Sequence, residues 1–387
     1  MFLEIPSTLP PSLTDLPAAQ STEDDIIGWI VFASNRDGPF DLYTMVIRDP
    51  DNPTAAEVRK LTDHWRTDKS PVLSPDGARV AWESNRDGDF EVFVMDIDGD
   101  NLRQLTENNV YDGYPYWSPD GTQIIYESDM AEHTRLFVMD DDGGNVRQLT
   151  DGPTWDLFPA WSLDGSKIVF QSGNIGNYEI VVMDADGDNP RQLTDDPTWD
   201  AEPGWSPDGS QIVFASNRDG AEHIYVMDAD GSDVRQLTDG PGGDGNPVWS
   251  PDGRYILFHS TRTGSMELFL FDLETDELHQ LTQNSVIDRC PAWGPTRTIP
   301  EALEAVPLHR VNFTGQVNAS APRVNVRSGP GEQHKAVFQV ENGAPVRITG
   351  RDDTATWLYG EFEAGAGWVW SALVDVRGDL RTLPIEE

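Results

Sequence analysis

Residues 203–238 read PGWSPDGSQIVFASNRDGAEHIYVMDADGSDVRQLT, and this phrase returns along most of the chain with little change. Its apolar runs have strand length and alternate with polar residues, and none is long enough for a helix. The runs are parted by Asp-Gly and Asn-Arg-Asp-Gly, residues that suit tight hairpins. Trp117, Trp161, Trp205, Trp249 and Trp293 stand 44 residues apart, and Leu73 holds the same setting one step earlier. The turn that follows repeats as Asp76-Gly77, Asp120-Gly121, Asp164-Gly165, Asp208-Gly209 and Asp252-Gly253. Each unit closes on Leu-Thr, at Leu61-Thr62, Leu105-Thr106, Leu149-Thr150, Leu193-Thr194, Leu237-Thr238 and Leu281-Thr282, which makes six copies.

Four short strands in a unit of this length form the blade of a β-propeller. The array begins at Ile26-Ile27 with a second strand and ends at Pro291-Ala292-Trp293 with a first one. An open stack would leave strand edges unpaired at both ends. Pairing residues 287–295 with 26–34 removes those edges, so the expected fold is all-β: a six-bladed β-propeller over residues 26–295, closed by strand exchange between its ends.

Pro-x-Trp-Ser-Pro-Asp-Gly, Ile-x-Phe-x-Ser-Asn-Arg-Asp-Gly, Ile-Tyr-Val-Met-Asp and Arg-Gln-Leu-Thr together resemble the WD40-like repeat of TolB-like propellers. The resemblance implies a bacterial periplasmic, envelope or extracellular setting. Similar propellers also serve as sensor ectodomains and as filters of peptidases, so the fold alone does not name a function.

The period ends after residue 295. From 296 onward acidic minus basic residues is 12 minus 9, so of the chain's net charge of -40 about -37 precedes that point. Residues 296–311 read as a linker with a helical turn around Glu301 to Ala305. Residues 312–375 read as short strands with glycine turns. There Val324-Asn325-Val326-Arg327-Ser328-Gly329-Pro330-Gly331, Trp357 and Gly367-Trp368-Val369 are similar to the bacterial SH3 domain, a small β-barrel. His334 and Ala372-Leu373 depart from that family's usual aromatic and closing residues. Residues 1–25, with Pro6, Pro10, Pro11 and Pro17, read as a disordered or linker tail without a visible signal peptide, and residues 376–387 as a C-terminal tail.

With 67 acidic against 27 basic residues, the field repels phosphate backbones and anionic lipids, so no nucleic-acid partner is expected. No apolar run is long enough for direct membrane insertion. One cysteine, Cys290, allows neither an internal disulfide nor a thiolate zinc site. Nucleophile elbows, His-Glu-x-x-His and phosphate-binding glycine loops are missing, so no catalytic residue is proposed and the chain is not expected to be an enzyme.

A residue type present in every blade is required by the blade, so a single ligand site must use positions that differ. The loop entering each inner strand differs most. Three consecutive blades carry Tyr111 and Tyr114, Trp155 and Phe158, Trp199 and Glu202, where the others carry Thr67 and Ser70, Gly243 and Asn246, Ile287 and Cys290. Such a one-sided aromatic rim suits a protein, peptide or glycan partner. In the small domain Trp357, Tyr359, Trp368 and Trp370 either line a groove or fill the barrel. Asp68, Asp112, Asp156, Asp200, Asp244 and Asp288 each precede an inner-strand proline by three residues. They read either as a ring binding a cation such as Ca2+ at the channel mouth or as loop-fixing acceptors, and no other cofactor is expected. The sequence points to a non-enzymatic binding or scaffold protein with a second, cell-wall contact. The alternatives are a propeller hydrolase or lactonase with a channel-bound metal, or the ectodomain of a longer receptor.

Overall fold

The computed structural model describes residues 26–48, 54–295 and 299–304, and beyond them the backbone of seven strands. Six four-stranded antiparallel sheets follow one another around a ring. Blade 2 shows the plan: an inner strand Asp68–Leu73, then Arg79–Ser84, Glu91–Asp96 and a short outer strand Arg103–Gln104. Blades 3 to 6 repeat it from the inner strands Asp112–Trp117, Trp155–Trp161, Asp200–Trp205 and Asp244–Trp249. In blade 1 the inner strand is Asp288–Trp293, and it pairs with Ile26–Ser34 from the other end of the array, followed by Asp41–Arg48 and Thr54–Lys60. Ile30 faces Trp293, Ser34 faces Asp288, and the Gly294 amide donates to the Trp29 carbonyl at 2.8 Å, which closes the ring by strand exchange.

Each core is shared between two blades, because alternate side chains of a strand point to opposite faces. Trp117 of blade 3 packs against Ala81, Val92 and Val94 of blade 2, and Trp161 of blade 4 against Ile125, Leu136 and Val138 of blade 3. The Ser-Pro-Asp-Gly turns are held by their own polar atoms. Asp208 accepts from the Ser206 hydroxyl at 2.7 Å and the Ser210 amide at 3.0 Å, and these bonds hold its pKa at about 2.

One local feature positions the site. Every inner strand slips register just before its proline, as between Lys69 and Val72 or Gly113 and Tyr116. At each slip a non-glycine residue takes a left-handed backbone: Ser70 (φ 53°), Tyr114 (44°), Phe158 (52°), Glu202 (55°), Asn246 (48°) and Cys290 (50°). A bulky residue at positive φ costs on the order of 1–3 kcal/mol, and proline ordinarily pushes its predecessor toward extended backbone. The cost is borne once per blade, so ring geometry imposes it.

Past the propeller, Glu301–Glu304 forms one helical turn, and Leu303 is buried with Trp29, Leu73 and Trp82. The C-terminal strands form one antiparallel sheet in the order Ala336–Glu341, Arg323–Arg327, Gly365–Trp370, Trp357–Phe362, Pro345–Arg351, Phe313–Val317 and Val374–Val376. Residues 1–25, the turn at 328–331, His334 and residues 377–387 lie outside the described residues. Among the described residues no helix is long and apolar enough to cross a membrane.

Candidate binding site at the channel mouth

The six left-handed residues and the prolines behind them line a cavity of about 120 Å³ on the ring axis. The register slip turns each of these side chains out of the blade and toward the channel. Six equivalent backbone positions therefore present serine, tyrosine, phenylalanine, glutamate, asparagine and cysteine to one space.

A polar frame from the second strands holds them. Glu127 of blade 3 accepts the Phe158 amide at 2.6 Å, and Gln171 of blade 4 accepts the Glu202 amide at 3.0 Å. Blade 5 has Ala215 at that position, and there Glu202 itself accepts the Asn246 amide at 2.6 Å. The Ser70 hydroxyl donates to Glu83 at 2.5 Å, and the Cys290 thiol to the Asn246 side-chain oxygen at 3.3 Å. Tyr114 and Phe158 touch with ring centroids 4.3 Å apart and planes tilted by 50°, while Lys69 sits 3.5 Å from Glu83 and over the Phe90 ring at 4.4 Å.

Burial dominates the electrostatics. It pushes Glu202 up to about 7, raises Glu83, holds Glu127 well above the usual carboxylate range and pushes the Cys290 thiol up to about 11. His259 is pushed down to about 4 by burial and then by Arg289. The cavity thus favours neutral side chains until a ligand brings charge.

Of the aromatic rim read from the sequence, Tyr114, Phe158 and Glu202 reach this cavity. The other three do not line it. Tyr111 is wedged between blades 2 and 3, where a Cβ on Gly113 would lie 2.2 Å from its hydroxyl oxygen. Trp155 packs on His133 with ring centroids 4.8 Å apart, and Trp199 packs against the core shared by blades 5 and 6. Ser70, Asn246 and Cys290 complete the lining, and Glu83, Glu127 and Gln171 of the frame were not singled out by sequence reasoning. Their signal was present, since the matching second-strand positions read Ala33, Glu83, Glu127, Gln171, Ala215 and His259.

The ring aspartates are buried, and most find an arginine. Arg86, Arg218, Arg262 and Arg36 grip Asp68, Asp200, Asp244 and Asp288 through both oxygens at 2.7–3.1 Å. Asp156 meets Arg135 at 3.2 Å and the Ser172 hydroxyl at 2.6 Å. Among the described residues no arginine pairs with Asp112, which accepts the Asn108 side-chain amide at 2.6 Å and is held further by the Ser128 and Thr106 hydroxyls. The six do not bring three ligand atoms within reach of one ion; among the described residues only Asp87, Asp89 and Glu91 do. In the C-terminal sheet the register sets Trp357 opposite Trp370 and Tyr359 opposite Trp368.

A closed ring of six meanders, with equivalent blade cores and a varied axial lining, defines a six-bladed propeller of the WD40-like repeat class. Residues 52–157 and 152–299 match the model of the TolB beta propeller domain, and the chain belongs to that family. Residues 322–375 match the bacterial SH3 domain. TolB from Acinetobacter baumannii superposes with a TM-score of 0.61 at 20% identity, covering 70% of this chain and 68% of that one. A putative TolB from Agrobacterium tumefaciens gives 0.54 at 20% identity over 73% and 96%. A chain of a nidogen/laminin complex gives 0.56 at 12% identity over 69% and 98%. Likeness at such identities shows the fold alone. No curated protein matches the chain by sequence.

Proposed function

We propose that this chain is a non-enzymatic binding protein of the bacterial envelope or exterior. Its channel mouth takes a protein, peptide or glycan partner, and its SH3-like domain makes a second contact, with the cell wall. The observation that carries the reading is the axial lining: one strained backbone position, repeated six times, bearing six different side chains. A structural requirement would have fixed the side chain along with the backbone. Membership of the TolB beta propeller family supports the envelope setting, and a propeller-containing relative solved in a protein complex supports a protein partner.

Cavity size narrows the mode of binding. At about 120 Å³ the axial cavity is far below the roughly 300–1,000 Å³ of small-molecule sites, so it accepts one protruding group of a larger partner. Tyr114 and Phe158 supply apolar area on one side and Glu202 an acceptor on the other. Two modest contacts on one chain also gain through effective concentration.

The test is site-specific photo-crosslinking in cells. A benzophenone side chain at position 158 is expected to give a discrete adduct, and one at the exposed outer-edge position 278 is not. A folded protein that yields no adduct from position 158 overturns the reading. Co-sedimentation with purified peptidoglycan, with and without residues 312–387, separately tests the wall contact; equal retention of both forms removes it.

A further inference from the structure

Each ring aspartate lies beside a residue near the start of a third strand in the preceding blade, and charge is balanced differently at each junction. Where that residue is Arg135 or His223, it pairs with Asp156 or Asp244 directly. Where it is acidic, as at Asp41, Glu179 and Glu267, the neighbouring aspartate takes an arginine from its own hairpin: Arg86, Arg218 or Arg36. Glu91 and Asp112 have neither. The hairpin position that would supply the arginine holds Met130.

The junction of blades 6 and 1 is an internal control. There the Asn284 amide donates to Glu267 at 2.7 Å and its side chain to Asp288 at 2.7 Å. Asn108 does the same for Glu91 and Asp112, at 2.8 and 2.6 Å. Two differences separate them. Arg36 is replaced by Met130, and Thr263 and Ser265 of the preceding hairpin are replaced by Asp87 and Asp89. Two carboxylates and one guanidinium, formally -1, have become four carboxylates, formally -4.

Glu91 and Asp112 are wholly buried. Glu91 Oε2, Asp112 Oδ1 and Asp89 Oδ2 are buried without a well-aligned hydrogen bond, and the donors beside Glu91 and Asp112, from Thr106, Ser128 and Asn108, are neutral. Glu267 Oε2 also lacks such a bond, but Arg36 acts on it through space. Removing carboxylate oxygens from water without full hydrogen bonding or counter-charge is strongly unfavourable. A cation held among these oxygens would offset that cost.

The geometry favours the cation. Asp87, Asp89 and Glu91 each offer one oxygen, all within 4.8 Å of one another. Oxygens gathered that closely can share one ion after small side-chain adjustments toward the Ca2+–oxygen distance of about 2.4 Å. Oxygen donors without sulfur or imidazole select a hard cation. Exposure grades from Asp87 at the surface through Asp89 to buried Glu91, which provides an entry path.

We propose that Asp87, Asp89 and Glu91, backed by Asp112, bind a divalent hard cation, Ca2+ in the first place, which replaces the missing arginine between blades 2 and 3. The site stands apart from the channel mouth and does not depend on the function proposed there.

The test uses the full chain stripped with a chelator and titrated with calcium, followed by thermal melting and calorimetry. We expect one strong site and a midpoint rise of about 5 °C at a hundredfold excess over Kd. Asp89→Asn should abolish the response and Glu267→Gln should leave it intact. Met130→Arg should raise the melting point of the metal-free protein and blunt the calcium response. No shift in the parent chain, a shift that survives Asp89→Asn, or an undiminished response in the Met130→Arg protein overturns the proposal.

Discussion

Replacing Glu202 by glutamine should change how stability depends on pH while leaving the fold intact. Glu202 faces the axial cavity, accepts the Asn246 amide at 2.6 Å, and has its pKa pushed from 4.5 to about 7, chiefly by burial. A glutamine oxygen can still accept that amide, so the substitution removes a titration and not a bond. The native state holds this proton more tightly than the unfolded chain does. Its contribution is therefore fully present below pH 4.5, is lost as pH rises, and levels off above about 7. The rise from 4.5 to about 7 corresponds to about 3 kcal/mol, an upper bound that shrinks as water enters the cavity. Glu91 and Glu267, also at about 7, slope the same way, so the informative quantity is the difference between variant and parent. Urea melts at half-unit steps from pH 4.5 to 8.5 should show Glu202→Gln gaining on the parent up to about pH 7 and holding that gain above it. Parallel curves, or a variant that loses ground as pH rises, would refute the argument that Glu202 is folded as a neutral acid.

Two further outcomes follow from single contacts. Arg36→Ala strands the fully buried Asp288 at the closing junction and should cost about 3 kcal/mol in urea unfolding, against under about 1 for Lys167→Ala at the exposed pair with Asp184; equal losses would deny the closure its electrostatic part. Leu163→Pro should stabilise by about 0.4–1 kcal/mol: the turn closes with the Gly165 amide on the Ser162 carbonyl at 2.9 Å, as the proline-bearing Ser206 turn does, and thermal melting that falls would show the two turns to be inequivalent.

The ring was legible because every blade meets the same packing problem, and the closing segment was legible because its complement is missing at the other end. Tyr114, Phe158 and Glu202 were legible as positions that differ. What the sequence does not reveal is that Tyr111, Trp155 and Trp199, three residues earlier, turn away from the axis. The deciding feature is a left-handed backbone on a non-glycine residue before proline, a conformation both local rules disfavour. The polar frame was readable in principle, as Glu83, Glu127 and Gln171 interrupt otherwise apolar second strands. The partners of Glu127 and Gln171 are amides of the next blade, a relation no single repeat displays. Paired aspartates were visible as a ring, but their arginine partners come 18 residues later in the next hairpin, beyond the reach of a local motif.

Departures from the repeat differ in kind, and the difference separates tolerance from purpose. At Ala215 the missing acceptor is replaced by Glu202 from the inner strand, so one change is met by one compensation. At Leu163 the proline that elsewhere packs on the next blade's glycine is lost; Gly209 has no neighbour within 4 Å of an added Cβ, Leu163 is 65% exposed, and a groove of about 730 Å³ opens there. That defect is single and uncompensated. Between blades 2 and 3 an arginine has gone and Asp89 has arrived, next to the hairpin Asp87 that Asp37 and Asp219 match in other blades, beside a buried glutamate and aspartate. Each change makes the others less favourable in an empty site, since every added carboxylate raises the work of burying the rest. Only a bound positive charge reverses the sign of that coupling, turning two unfavourable departures into one favourable set.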